Sequence, residues 1–379
     1  MKKNNILVVK IGSSVIAPKG KLDSRVVAQL VKDIRDVEDK GYKVIMVSSG
    51  AIACGLNKLG YKKRPDDMHV LMAISSLGQI LLMDMFNKNF KRYDKVCAQL
   101  LLTRDDFNER KRFMNIKKTI DKLISMNIVP IINENDAVAH EEIGVGDNDM
   151  LSELVADLAG AEKLILLSDV DGLLDKDKKV IPEISLHNQD LDSLNFESRS
   201  IHTKGGLRTK LEAATRANLS GIKTWLAYGR KKDVISKIID GERIGTLFIP
   251  AEQVERSRKR WIHSKKIKGA IWIDDGAKKA LVERGKSLLG VGITQISKGF
   301  RKGDRALVCG QDRKVIGSGI VNYDWETINK AKKKNVRLEK EVIHRDNFAK
   351  LAQGWKYDPH RDISRIPKYG TINLKDKNE

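Results

Sequence analysis

Aromatic side chains are scarce in this 379-residue chain, at 5%, so a core must be built from aliphatic residues. Cysteine is scarcer. Cys54, Cys97 and Cys309 are odd in number and far apart, which argues against a disulfide framework and suits a reducing cytosol. Uninterrupted apolar runs such as "KLILLSDV" fall well short of the roughly 20 residues that span a bilayer. The basic start "MKKNNILVVKIG" leads into a glycine turn without a secretory cleavage pattern. The expectation is a cytoplasmic protein. Common nucleotide signatures are missing too: there is no G-x-x-x-x-G-K-[ST] phosphate loop and no G-x-G-x-x-G after the first strand. A P-loop enzyme and a typical dinucleotide dehydrogenase are therefore disfavoured. No His/Cys cluster has metal-ligand spacing, and "SSGA" lacks the G-x-S-x-G elbow of a hydrolase.

Positive charge is in excess. The formal net charge is +21, and the stretch from Val254 to Glu379 holds 31 Lys+Arg against 15 Asp+Glu. That asymmetry, with a length that suits two domains at roughly 100–200 residues each, suggests a boundary near residue 254. Before it, strands and helices alternate. "ILVVKI", "KVIMVSSG", "KVCAQLLL", "IVPII", "KLILLS" and "KTWLAY" read as strands apolar on both faces. "SRVVAQLVKDIRDVEDKG", "FMNIKKTIDKLISMN" and "TKLEAATRANLSG" read as helices, and "HVLMAISSLGQILLMDMFNKNF" as a long buried one. A helix is expected from about Leu151. The pattern predicts an α/β domain over residues 1–253, with a mainly parallel sheet between two helical layers. After the boundary, short glycine-punctuated strands such as "GAIWID", "RKGDRALVCG" and "VIGSGIVNY" predict a small β-rich domain over 254–350, with one helix at "DGAKKALVE". Residues 351–379 read as a polar C-terminal extension.

Four glycine-bearing turns follow predicted strands: "KIGSS", "SSGAIACG", "SDVDG" and "TKGGLRTK". Carboxyl ends of parallel strands share one edge, where ligands bind, and glycine lets backbone N–H groups approach a phosphate. Lys10 ends a buried strand, where an ammonium is costly without a partner, and Lys210 opens a helix. Two cations at one edge suit a transferring phosphoryl group, which needs positioning and charge neutralisation. Asp149 could hold both. The acid- and amide-rich stretch "INENDAVAHEEIGVGDNDML" supplies carboxylates and asparagines able to bind an ammonium group and a small polar substrate. Helix capping by "DND" accounts for one residue there and leaves "NEND" unexplained.

"VVKIGSSV", "VSSGAIACG", "LLLTRDDF", "VPIINENDAV", "VGDNDMLS", "LLSDVDGL" and "GGLRTKLEAA", in this order, resemble the glutamate 5-kinase branch of the amino acid kinase family. "RKRWI", "GAIWIDDGAKKALVERGKSLLGVGI", "KGFRKGDRALV" and "HRDNF" look like its appended PUA module, a small β-rich barrel. The resemblance spans about residues 5–350. It implies ATP- and Mg²⁺-dependent phosphorylation of the L-glutamate side-chain carboxylate to L-glutamyl 5-phosphate, the first step of proline synthesis, with proline as feedback inhibitor and a dimeric or tetrameric assembly. By matching motif positions, Lys10 and Lys210 would flank the phosphoryl group, Asp149 would organise them, and Gly12 and Gly50 would offer backbone N–H groups. Ser49, Asp136, Asn148, Asn133 and Asp147 would hold glutamate. ATP would lie against Lys10, Ser168, Asp169 and the segment Lys204, Gly205, Gly206, Leu207, Arg208, Thr209, Lys210. Lys204 and Leu174 depart from the family's usual Thr and Tyr at those positions. Two other readings stay open: an RNA-binding or RNA-modifying protein, from the basic C-terminal half, and a catalytically silent amino-acid sensor.

Overall fold

A computed structural model describes residues 5–107, 109–138, 147–175, 177–185, 206–250, 262, 267–334, 336–350 and 371–373. The chain divides into two compact units, Met1–Val254 and Glu255–Glu379.

The first unit is organised by its central strand. β1 (Ile6–Ile11) is buried at every position and pairs in parallel with β2 (Lys43–Ser48) on one side and β5 (Lys163–Ser168) on the other. β3 (Val96–Leu102) and β4 (Ile128–Glu134) extend the sheet beyond β2, while β6 (Glu183–Ser185), β7 (Lys223–Tyr228) and β8 (Thr246–Ile249) extend it beyond β5. The order is β3-β4-β2-β1-β5-β7-β8-β6. Every pairing is parallel except β7 with β8.

The two-residue strand period sorts side chains into two layers. Ile6, Val8, Ile45, Val47, Leu164 and Leu166 face a core shared with α5 (Arg110–Ser125), α6 (Asp147–Ala159) and α7 (Leu207–Leu219). Leu7, Val9, Ile11, Val44, Met46, Ile165 and Leu167 face the opposite core, shared with α2 (Ser24–Asp39), α4 (Met68–Lys91) and α8 (Val234–Ile239). The short α1 (Ser13–Ile16) and α3 (Ala51–Lys58) lead out of β1 and β2. α2 places Val27, Leu30, Val31, Ile34 and Val37 at helical spacing on its buried face. Its one buried carboxylate, Asp33, accepts hydrogen bonds from the N–H groups of Ile235 (2.7 Å) and Ser236 (2.9 Å), so its charge is met by otherwise unpaired donors at the start of α8.

Two sequence expectations need correction here. α4 is not uniformly buried: Leu82, Phe86 and Phe90 are fully covered, whereas Ile80 is 70% exposed. Its composition, with a mean hydropathy of 1.5 over an 18-residue window, is also long and apolar enough to cross a membrane, alone among the described helices. Reading only uninterrupted apolar runs missed this, because single polar residues break up the stretch. α6 starts at Asp147 rather than near Leu151, so Asn148 and Asp149 lie within its first turn.

The second unit holds a six-stranded sheet in the order β13-β12-β11-β9-β10-β14. Its strands are β9 (Ile267–Ile273), β10 (Ile293–Ser297), β11 (Arg305–Cys309), β12 (Val315–Ile320), β13 (Phe348–Lys350) and β14 (Thr371–Asn373). α9 (Asp275–Val282) is the helix expected at "DGAKKALVE". α10 (Trp325–Lys333) was not expected: it is lysine-rich and buries only Ile328, but Asp324 caps it by accepting from the Thr327 N–H at 2.7 Å. β14 comes from the C-terminal extension and pairs antiparallel with β10.

Candidate active site

Four parallel strands end side by side: β1 at Ile11, β2 at Ser48, β4 at Glu134 and β5 at Ser168. Lys10 follows Ile6 and Val8 on the strand period, which points its side chain into the α6 layer. Only 4% of Lys10 is exposed. α6 packs across β1, β2, β4 and β5, and its fully buried Asp149 meets the lysine, with Lys10 Nζ 2.5 Å from Oδ1. α7 packs on α6 and brings Lys210 Nζ to 3.2 Å from Oδ2. The Thr209 hydroxyl stands 2.8 Å from the same Oδ2 and 3.0 Å from the Gly206 carbonyl. Its single proton favours the charged acceptor.

These groups set one another's charge. Burial pushes the Lys10 ammonium down from its ordinary pKa, Asp149 opposes that, and Lys210 adds to it. Burial alone would raise Asp149, but Lys10 and Lys210, with the hydrogen bonds from Lys10 and Thr209, outweigh it and hold the carboxyl below the usual range. Two ammonium groups share one carboxylate in a water-poor setting, with Asp169 also acting on Lys10, and paired cations of this kind suit an anion such as a phosphoryl group. One turn along α6, Glu153 is buried as well. Burial pushes its carboxyl up to about 8, so it is neutral near pH 7.

The second half of the site is built from amides. Asn133, the penultimate residue of β4, shares the strand period of Val129 and Ile131 and so faces the α4 layer. Its Nδ2 donates to Gln79 Oε1 on α4 at 2.8 Å. Its Oδ1 accepts from the Glu134 N–H at 2.9 Å and from Asn148 Nδ2, on the first turn of α6, at 3.1 Å. Asn148 Oδ1 in turn accepts from the Glu134 N–H at 3.2 Å. The network ties the two helical layers together at the end of the sheet.

The amino acid kinase family model matches residues 5–227, and the PUA domain model matches residues 269–343. The chain belongs to the amino acid kinase family. Similar curated proteins are named glutamate 5-kinase. That of Caldanaerobacter subterraneus subsp. tengcongensis is 40% identical over 368 residues, 93% of this chain and 99% of the relative. Those of Syntrophotalea carbinolica and Pseudomonas entomophila are 39% and 38% identical over 358 residues, each covering 90% of this chain and 96% of the relative. A solved carbamate kinase from Giardia lamblia bound to AMP-PNP aligns with 66% of this chain and all of its own, at 18% identity and a TM-score of 0.49.

In this amino acid kinase, the remaining expected residues fall as follows. Gly50, with φ at 106°, adopts a left-handed conformation that glycine takes at little cost, and it turns the chain from β2 into α3. Ser49, half-buried before it, donates its N–H to the Ile11 carbonyl at 3.2 Å. Gly12 departs from the expectation of an N–H free for a phosphoryl oxygen: it extends the β1–β5 ladder, and its N–H donates to the Leu167 carbonyl at 3.1 Å. Ser168 donates its hydroxyl to Asp169 Oδ1 at 3.0 Å just past β5. Asp136 is half-buried in the turn after β4, and Asp147 opens α6, its side chain lying outside the described part. Gly206 is the N-cap residue of α7; Leu207 is half-buried and Arg208 exposed in the first turn. Leu174 is 50% exposed. Lys204, Gly205, His140, Glu141 and Glu142 lie outside the described residues. Sequence reasoning missed Gln79 and Glu153. The signal for each was a large polar side chain inside a largely apolar helical stretch, Gln79 in "SLGQILL" and Glu153 in "LSELVADL".

Proposed function

We propose that this amino acid kinase is a glutamate 5-kinase. It transfers the γ-phosphoryl group of ATP to the side-chain carboxylate of L-glutamate, giving L-glutamyl 5-phosphate, the first step of proline biosynthesis. The observation that carries this reading is the pairing of Lys10 and Lys210 on one buried carboxylate, Asp149, next to the Asn133–Asn148 amide network. The glutamate carboxylate is ionised near neutral pH and attacks without a general base. Lys10 and Lys210 neutralise charge spreading over the transferring group, and Asp149, steadied by Thr209, keeps both ammonium groups in place. Asn148, Asp136 and Ser49 orient the amino acid, with Asn133 and Asp147 behind them. Ser168, Asp169 and the segment Lys204–Lys210 lie along ATP.

Among the described residues no cluster of three His, Cys, Asp or Glu side chains is arranged to hold a metal ion. Mg²⁺ arrives with ATP as part of the substrate. Proline competes at or beside the glutamate site, and the kinase unit assembles as a dimer or tetramer. The second unit's positive charge favours weak RNA binding as a secondary activity; filter binding to transfer RNA with a steep salt slope supports it, and absence of binding at low salt removes it.

The test is ADP release by the full chain with Mg·ATP across a panel of amino acids, with and without proline. Release that depends on L-glutamate and Mg²⁺ and falls with proline is expected. Release with aspartate or N-acetylglutamate but not with glutamate overturns the reading.

A further inference from the structure

Gln79 takes no part in the mechanism above, yet it is only 7% exposed and carries a polar atom without a bond. The backbone fixes its orientation. The Glu134 N–H can only donate, so the atom of Asn133 that receives it is the oxygen Oδ1, and Asn133 Nδ2 must point the other way. That NH₂ donates to Gln79, so the receiving atom is Oε1. The Gln79 NH₂ is what remains, buried and unpartnered. A buried donor left unpaired is costly and uncommon in folded proteins.

Close helix packing brings this group to the site. A Cβ on Gly78 would lie 1.7 Å from the Ala51 carbonyl oxygen, and one on Gly55 would lie 2.2 Å from the Ile74 carbonyl oxygen. Only glycine at both positions lets α4 press its backbone against α3, which begins directly after the Ser49–Gly50 turn. Gln79 is the next residue after Gly78, so the same contact fixes its position.

We propose that Gln79 determines substrate specificity, its side-chain NH₂ donating to a carboxylate oxygen of the amino-acid substrate. The inference rests on the glutamate-kinase reading and deepens it. An amide nitrogen donates and cannot accept, so it cannot serve the substrate's ammonium group. That task falls to acceptors such as Asp136. Gln79 therefore reads an oxygen while its own oxygen holds Asn133, which in turn holds Asn148.

The test compares wild type, Gln79→Glu and Gln79→Met by ADP release at varied glutamate and varied ATP, with thermal melts. Gln79→Glu keeps the acceptor for Asn133 and replaces the donor; Gln79→Met fills similar space without charge. The glutamate KM is expected to rise about thirtyfold in Gln79→Glu and about tenfold in Gln79→Met, with the ATP KM within about twofold of wild type. Glutamate KM values equal to wild type in folded variants overturn the inference, as does a parallel rise of both KM values, which marks a merely structural role. Gln79→Met also removes the acceptor that holds Asn133, so Gln79→Glu decides; if that variant melts early, both KM values are read below its melting temperature. A wild-type chain that releases no ADP with glutamate defeats the glutamate-kinase reading instead, so the two failures are distinguishable.

Discussion

Asn148 and Asp149 are neighbours on the first turn of α6 and serve two differently built halves of one site. Around Asp149 the groups are charged and mutually compensating: one carboxylate, two ammonium groups and a hydroxyl. Around Asn148 they are neutral amides whose order is imposed by one backbone N–H. Successive helical residues point about 100° apart, so one turn supplies both halves. The charged half suits a group whose charge redistributes during reaction, because ions set the field without needing a fixed bonding geometry. The amide half suits a substrate that must be told from its relatives, because directional donors and acceptors reject a ligand that leaves them unpaired.

The sharpest way to break this comparison is Asp149→Ala. It leaves two ammonium groups without their common anion, and kcat is expected to fall about 10²–10³-fold while the glutamate KM shifts by no more than about threefold. Asp149→Asn keeps the shape but also leaves both ammonium groups unpaired, at a cost of about 3–5 kcal/mol, so it is expected to lose kcat to a similar degree, and thermal melts of both variants check folding. Asp136→Ala and Asn148→Ala should do the reverse, raising the glutamate KM about tenfold or more with a small change in kcat. Steady-state kinetics separate the two patterns. If Asp149→Ala acts on KM and Asp136→Ala on kcat, the roles are exchanged.

A finer probe of the charged half is Thr209. A hydrogen bond to an ionised group contributes about 1.5–3 kcal/mol. Thr209→Val is expected to lower kcat about tenfold at an unchanged glutamate KM, and Thr209→Ser to restore most of it. An equal loss in both variants would assign Thr209 to packing rather than to the carboxylate.

How much of this could be read in the sequence differs between the halves in the same way. A lysine ending a run such as "ILVVKI" stands out because burying an ammonium is costly, and "GDND" stands out as acid in a basic chain. The alternation of apolar strands and amphipathic helices indicated a parallel sheet between helical layers. The amide half was less legible. Gln79 interrupts an apolar helix, and nothing local tells a ligand-facing amide from a solvated one; the distinction lies in β4, more than fifty residues away. The start of α6 was misjudged because Asp, Asn and Asp also read as a cap. The apolar residues of α4 predict a wholly buried helix, but hydropathy does not say which side is covered. α10 was missed because its lysines and single buried isoleucine resemble a solvated loop.

The smallest effect on activity, and the one that tests whether buried carboxylates on α6 share a role, is expected at Glu153. It lies one turn from Asp149, but burial acts on it almost unopposed. Arg216 and Arg104 lower its pKa, Asp157 and Glu212 raise it, and the carboxyl ends at about 8 against an ordinary value of 4.5. Between those values the unfolded chain has released this proton while the folded chain keeps it, so stability falls as pH rises from about 4.5 to 8 and then levels off. Asp149 has the opposite sign: its lowered pKa contributes stability above the ordinary carboxyl range, which is lost as pH falls through the folded value. Glu153→Gln removes the titration and keeps the shape. It is expected to leave kcat and both KM values within about twofold, and to raise the melting temperature by about two degrees at pH 5 and by several degrees more at pH 8. A stabilisation equal at both pH values would mean that Glu153 is ionised in the folded protein. A loss of kcat with no gain in stability would join it to the charged half of the site.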